Sequence, residues 1–347
     1  MADSGRPAGE EDRRKLAPIA LGVVPSQGSH PTHWLPWILG LAFVGMAGMA
    51  AWMTAPGFTE RVGDLDNRPQ WVIWVVVLAI QGSVFLAALP AVWIETRRSS
   101  LKFRGTPLTT LVVLLALLAL PIAAITFAGP VHPIQDVLRW HILPLSITGN
   151  VVAALAAAGI VRTHKEIEEA APAASPRGAD EDTASFLELR RRLRLLGGLL
   201  AILVALTVFG AGAQRNAIVA MEVANAAEAT ALGKATEAAE ANTRAGLFGI
   251  ELVWSYGLYY SFALVLVYMP PYLSLMALGR AIRDKHTPPV APNDPVYEER
   301  KKIRDAWDDV LQLKTTTAES LRAATLVLVP LITSLGSTLL GGVKVGE

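Results

Sequence analysis

Long apolar runs separated by short charged stretches set the pattern of this chain. Seven runs, at 34–53, 71–94, 108–128, 142–161, 195–213, 247–269 and 323–343, are near or above the roughly 20 helical residues needed to cross a hydrocarbon core of about 30 Å. The pattern predicts an all-α fold: a polytopic α-helical integral membrane protein with about seven transmembrane helices. The seventh run carries Thr325, Pro330, Thr333, Ser334, Ser337 and Thr338, which leaves a re-entrant course open beside a spanning one.

Between the runs the polar segments divide the chain. Residues 1–33 mix acidic and basic side chains with Pro7, Pro18, Pro25 and Pro31 and read as a disordered tail. A four-span unit with short loops follows at 34–161, then a flexible linker at 162–184 marked by Pro172, Pro176 and Gly178. Residues 185–278 form a long hairpin of two spans. Ser185 with Glu188 is a capping box at its start, and an Ala-rich stalk at 214–246 breaks at Gly233. Pro270 and Pro271 predict a kink or end in its returning helix. The 279–322 segment holds a second Pro-rich linker and an amphipathic helix at 295–314, with Val296, Ile303, Ala306, Val310 and Leu313 near a heptad seam. Glu298 with Lys302 and Arg304 with Asp308 are i,i+4 pairs on its outer face. Docking on its own protein is the first expectation for this helix and dimerisation the second. Residues 323–347 are the C-terminal membrane segment and tail.

Charge placement orients this array. Of the 31 basic residues, 24 fall in alternate segments (1–33, 95–107, 162–194 and 279–322) and only 7 in the intervening ones, which puts the N-terminus in the cytosol. Trp34, Trp37 and Trp52, then Trp71, Trp74 and Trp93, bracket the first two spans as interfacial anchors. Hydrophobic residues make up 52% of the chain, too many for a soluble domain of this length, and there is no cysteine, so disulfides and thiolate chemistry are excluded. A composition rich in Ala, Arg, Gly and Pro suits the cytoplasmic membrane of a bacterium.

Candidate chemistry is sparse. No HExxH, GxSxG, strand-linked GxGxxG or GxxxxGK[ST] motif occurs, and His30 and His33 sit in a Pro-rich tail without carboxylate pairs. No catalytic residue, cofactor or metal site is expected. The basic cluster Arg190, Arg191, Arg192 and Arg194 lies at the cytosolic end of the fifth run and is a candidate for lipid-headgroup contact. Gln81 and Asn150, near the middles of two spans, form a candidate intramembrane polar pair: an interhelical hydrogen bond, or part of a polar cavity. Pro330, Ser334, Ser337 and Gly341 share a face of the last run and are a candidate helix-packing or pore-lining stripe.

The expected partners are the lipid bilayer, a second copy of the chain, and a protein bound at the 214–246 stalk or the 295–314 helix; no nucleic acid is expected. The function these features suggest is a non-enzymatic assembly, sensing or effector component that oligomerises. The alternative is a channel or transporter for an uncharged or weakly polar solute past Gln81 and Asn150.

Overall fold

A computed structural model of the protein describes residues 69–97, 133–170, 178–313 and 328–337, all within one unit, Ile38–Glu347. The described residues are all-helical. The helices are α1 (Pro69–Arg97), α2 (Pro133–Ala170), α3 (Ala179–Ala231), α4 (Ala235–Leu247), α5 (Ile250–His286) and α6 (Tyr297–Val310), followed by a short apolar helix α7, Leu328–Ser337. Four stretches are long and apolar enough to cross a membrane: Pro69–Thr96, Pro144–Ala170, Ala179–Ala231 and Ala235–His286. They contain the expected spans at 71–94, 195–213 and 247–269 and most of that at 142–161. The runs at 34–53 and 108–128 lie outside the described residues, as do the two ends of 323–343.

At the centre stands α3, packed against α1, α2, α4 and α5. It is one unbroken helix of 53 residues, about 80 Å at 1.5 Å per residue, so the apolar run 195–213 is only its middle. Its N-cap is Gly178, seven residues before Ser185, with Asp180, Glu181 and Asp182 in the first turn. Three carboxylates against the positive helix end outweigh the Ser185 capping signal, and Glu188 is spent on arginines instead. Together with the extension of α2 to Ala170, this removes most of the 162–184 linker; residues 171–177 lie outside the described residues.

At its far end α3 stops where the sequence places a break. Gly233 adopts φ +70, Lys234 N–H donates to Ala229 O at 2.8 Å and Gly233 N–H to Thr230 O at 3.1 Å, the paired bonds of a Schellman motif. The returning arm α4 buries Ala238 and Ala241 as it packs on α3. α5 then runs through Pro270 and Pro271 to His286 rather than ending there. The two prolines leave carbonyls one turn earlier without donors, but packing fixes the helix on either side: Tyr268 fills the space beside Gly197, and Phe186 lies against Gly279.

Missing side chains set the helix register. A Cβ on Gly159 would come within 2.9 Å of Leu196 and 3.1 Å of Thr96, and one on Gly210 within 2.6 Å of Gln81 Oε1. These contacts make α1 and α2 parallel neighbours and α3 antiparallel to both. The last helix uses the same device. Ser337 occupies the space beside Gly212, and Ser334 lies where a Cβ on Gly257 would approach its Oγ to 2.6 Å, so α7 runs parallel to α3 in the groove between α3 and α5. Small residues allow such backbone proximity without a hydrophobic driving force between helices. Gly257→Val is therefore expected to unseat α7 and lower stability by about 1–3 kcal/mol through overpacking, whereas Gly246→Ala, with open space around its Cβ position, changes little; thermal unfolding in detergent distinguishes the two.

Candidate functional site

Charged residues at the foot of the hairpin, at the N-terminal end of α3 and the C-terminal end of α5, form the densest polar constellation in the described residues. At 100° per residue Arg190, Arg191 and Arg192 point in three directions, while Arg194, four residues after Arg190, shares its face. Arg191 reaches Glu95 at the end of α1 at 3.0 Å and Glu188 at 2.9 Å. Arg192 donates to Glu166 of α2 at 2.7 Å, with both side chains at most 9% exposed. Arg190, itself buried, donates to Leu311 O just past α6, and Arg194, one turn on, donates to Gln312 Oε1 at 3.3 Å. The cluster expected to face headgroups thus carries protein partners on three helices and on the segment after α6. Arg191 and Arg194 are also exposed outward, and Arg190 and Arg192 are not.

The same foot holds α6. Arg283 of α5 pairs with Asp308 at 2.8 Å, and Arg304 pairs with Asp284 at 2.8 Å and donates to Thr287 O at 2.6 Å. Trp307 stacks on His286 with ring centroids 5.3 Å apart and 9° between planes. His286 and Lys285 both meet Asp182 Oδ2, at 2.9 and 2.7 Å. Partial burial opposes ionisation of Asp182, but its hydrogen bonds with Lys285 and His286 outweigh that cost and hold the carboxyl below its usual range.

The helix lies on its own protein, in a register different from the expected seam. Trp307 and Leu311 are buried and Ile303 packs beside them, while Val296 and Val310 are 44% and 47% exposed and Ala306 is exposed. A tryptophan four residues before a leucine was the signal for the true inner face; the heptad reading passed over it because Trp307 sits among Asp305, Asp308 and Asp309. Arg304 and Asp308, expected to pair within the helix, each take a partner on α5 instead, because docking brings Asp284 and Arg283 within reach.

Gln81 and Asn150 do not form a hydrogen bond. Gly149 lies against Phe85, which puts Asn150 roughly level with Leu86, five residues or about 8 Å along the axis from Gln81. Asn150 donates to Ser146 O of its own helix at 2.9 Å. Gln81 is buried against Gly210 with its Oε1 unpartnered. Of the C-terminal stripe, Pro330, Ser334 and Ser337 are buried and face α3 and α5, and Asn216 donates to Ser337 O at 2.9 Å. Within this one chain they form a packing face; Gly341 lies outside the described residues. In the stalk, Glu222 is buried and meets Arg244 at 3.1 Å, and at its base Arg215 donates to Phe248 O at 2.9 Å.

Among the described residues no group of three or more His, Cys, Asp or Glu could hold a metal ion. Comparison with protein-family models, curated proteins and solved structures finds no match, so a functional reading rests on geometry and sequence alone.

Two outcomes follow from the foot. Glu166→Gln removes the shorter of the two ion pairs of buried Arg192, leaving Glu188 at 3.5 Å, at an expected cost of about 1–3 kcal/mol, whereas Lys234→Ala, which breaks an exposed pair with Glu237, costs under about 1 kcal/mol; denaturant unfolding in mixed micelles measures both. Because the Asp182 carboxyl is depressed in the fold, its contribution is complete above its unfolded pKa and is lost as pH falls through the folded value. Asp182→Asn should therefore flatten the acid limb of the stability profile.

Proposed function

We propose that this protein is a non-enzymatic multi-pass component of a bacterial cytoplasmic membrane, acting in assembly, sensing or effector output. In this reading the hairpin links an extracytoplasmic stalk to the cytosolic helix α6. One observation carries it: α3 is continuous from the foot that holds α6, through its apolar middle, to the stalk tip at Gly233. A continuous helix can transmit displacement between its ends where a hinged one would dissipate it.

The orientation, with N-terminus and α6 in the cytosol, follows the basic-residue bias. The parallel course of α1 and α2 fits the expected alternation of spans, with the apolar run 108–128 of the sequence between them. The direction of α7, parallel to α3, suits a seventh crossing. Arg191 and Arg194 are the members of the arginine cluster placed to meet anionic headgroups, and the exposed faces of the stalk and of α6 are the surfaces for a protein partner or a second copy.

Cysteine accessibility tests the orientation, since the natural chain has none to interfere. A membrane-impermeant maleimide should label Lys234→Cys in intact cells and Lys302→Cys only after permeabilisation; labelling of both from one side sinks the topology. For the link itself, Arg244→Ala, which removes the buried Glu222's ion pair with α4, is expected to change amide hydrogen exchange in 297–313 at the opposite end. Exchange there that ignores the stalk variant overturns transmission along the hairpin.

The orphan Gln81 Oε1 favours one second reading, passage of an uncharged or weakly polar solute, since a buried acceptor without a partner is costly unless it is used. Solute flux in proteoliposomes that disappears in Gln81→Leu, Asn150→Leu would establish that reading, and its absence would remove it.

A further inference from the structure

Between the proline-rich segment and α6 lies a recess of about 160 Å³. Pro289 and Val290 form one wall, and Tyr297, Arg300, Lys301 and Arg304 of α6 form the other. Those four residues stand at i, i+3, i+4 and i+7, so they share one flank of the helix. Both walls are tied down. Asp294 turns the segment into α6, its carbonyl accepting from Tyr297 N–H at 2.9 Å and its Oδ1 from Val296 N–H at 3.0 Å. At the base, Arg304 donates to Thr287 O and pairs with Asp284.

Charge in the recess is uneven along the helix. Asp305 and Asp308 line it toward the C-terminal end of α6, where Asp308 is committed to Arg283. Toward the N-terminal end, Arg300, Lys301 and the Tyr297 hydroxyl have no side-chain partner among the described residues, and Glu298 and Glu299 do not line the recess. That end offers two unspent cations and a hydroxyl. It also lies away from the apolar part of the hairpin. α6 runs antiparallel to α5, with Leu313 beside Gly279, Asp308 on Arg283 and Trp307 on His286. Tyr297, Arg300 and Lys301 therefore fall past the end of α5 at His286, roughly 25 Å along the axis from the end of the apolar run 247–269. A lipid headgroup is out of reach there.

We propose that this recess receives an acidic segment of a soluble protein, with two neighbouring carboxylate side chains set against Arg300 and Lys301. The two cations point 100° apart around the helix, which suits separate side chains of a peptide better than a single oxyanion. Complementary charge of this kind selects a partner and speeds its encounter. The proposal names the chemistry of the protein partner assigned above to the exposed face of α6, and it rests on that reading.

The test uses the full chain in phosphatidylcholine nanodiscs, where the lipid carries no net charge, and follows fluorescence anisotropy of a labelled hexaglutamate peptide. Hexaglutamate is expected to bind and hexaglutamine is not. Arg300→Gln and Lys301→Gln should each weaken binding about fivefold, the loss of one exposed charge contact. Lys302→Gln, the same change of charge at a position that does not line the recess, should leave it within about twofold. Absence of hexaglutamate binding, or equal weakening by Lys302→Gln, overturns the proposal. So does displacement of the peptide by inorganic phosphate where chloride at equal ionic strength has no effect, because that marks a site for one oxyanion. Failure here is separable from failure of the hairpin link: a nanodisc exposes both faces of the protein, and none of these variants touches the stalk.

Discussion

A charge at the edge of a bilayer has to be hydrated or paired, and the rest of the structure depends on how the foot of α3 meets that requirement. Arg192 and Glu166 are nearly removed from solvent together, and their pairing offsets the several kcal/mol that desolvation costs each ion. Their pairing fixes α2 against α3 at one height, and Glu95 with Arg191 does the same for α1. Once those heights are set, the glycine contacts higher in the bundle fall into register: Gly159 beside Leu196, Gly149 beside Phe85, Gly210 beside Gln81. The ion pairs contribute position more than net stability, since a well-packed apolar pair would serve the energy as well.

Above the foot the helices associate by different physics. Lipid tails are as apolar as leucine, so bringing α5 and α7 to α3 gains little from hydrophobicity, and shape has to do the work. Glycine on one helix and serine on the next let the backbones approach, while the serine hydroxyls are satisfied within their own helix: Ser334 Oγ donates to Leu331 O at 2.7 Å and Ser337 Oγ to Ser334 O at 2.9 Å. With those hydroxyls used within α7, the stripe presents a packing face, and Asn216 adds a hydrogen bond to Ser337 O from α3.

How much of this was legible beforehand depends on the range of the signal. Apolar length and the glycine at 233 are local, and the helical spans and the stalk turn could be read from them directly. The start of α3 was misplaced because two local signals competed, the Ser185 capping box and the acidic turn at 180–182, and three carboxylates at a helix end prevail over one hydroxyl. The course of α5 through Pro270 and Pro271 was not local at all, since contacts with Gly197 and Gly279 lie across another helix. The same holds for the foot. The arginine cluster was evident, but its partners Glu95, Glu166, Leu311 and Gln312 are separated from it by up to 121 positions, and no spacing rule joins them. Trp307 was concealed by its charged neighbours Asp305, Asp308 and Asp309, of which Asp308 turns to Arg283 on the same helix that Trp307 meets.

The balance at α6 follows from its composition. Burial of Leu311 and most of Trp307 contributes a few kcal/mol at about 1.5–3 kcal/mol per large side chain. Ordering the ten residues from Thr287 to Val296 works against docking, at roughly 1 kcal/mol or more for each residue fixed, and the proline-rich composition reduces that cost by restricting the free segment. Burial alone does not cover that cost, and the pairs of Asp308 with Arg283 and of Arg304 with Asp284, together with the arginine contacts to Leu311 O and Gln312, add to the hold. A helix this polar is held by the charges that face it as well as by its buried Trp307 and Leu311, so its hold on the foot could not be read from apolar spacing alone.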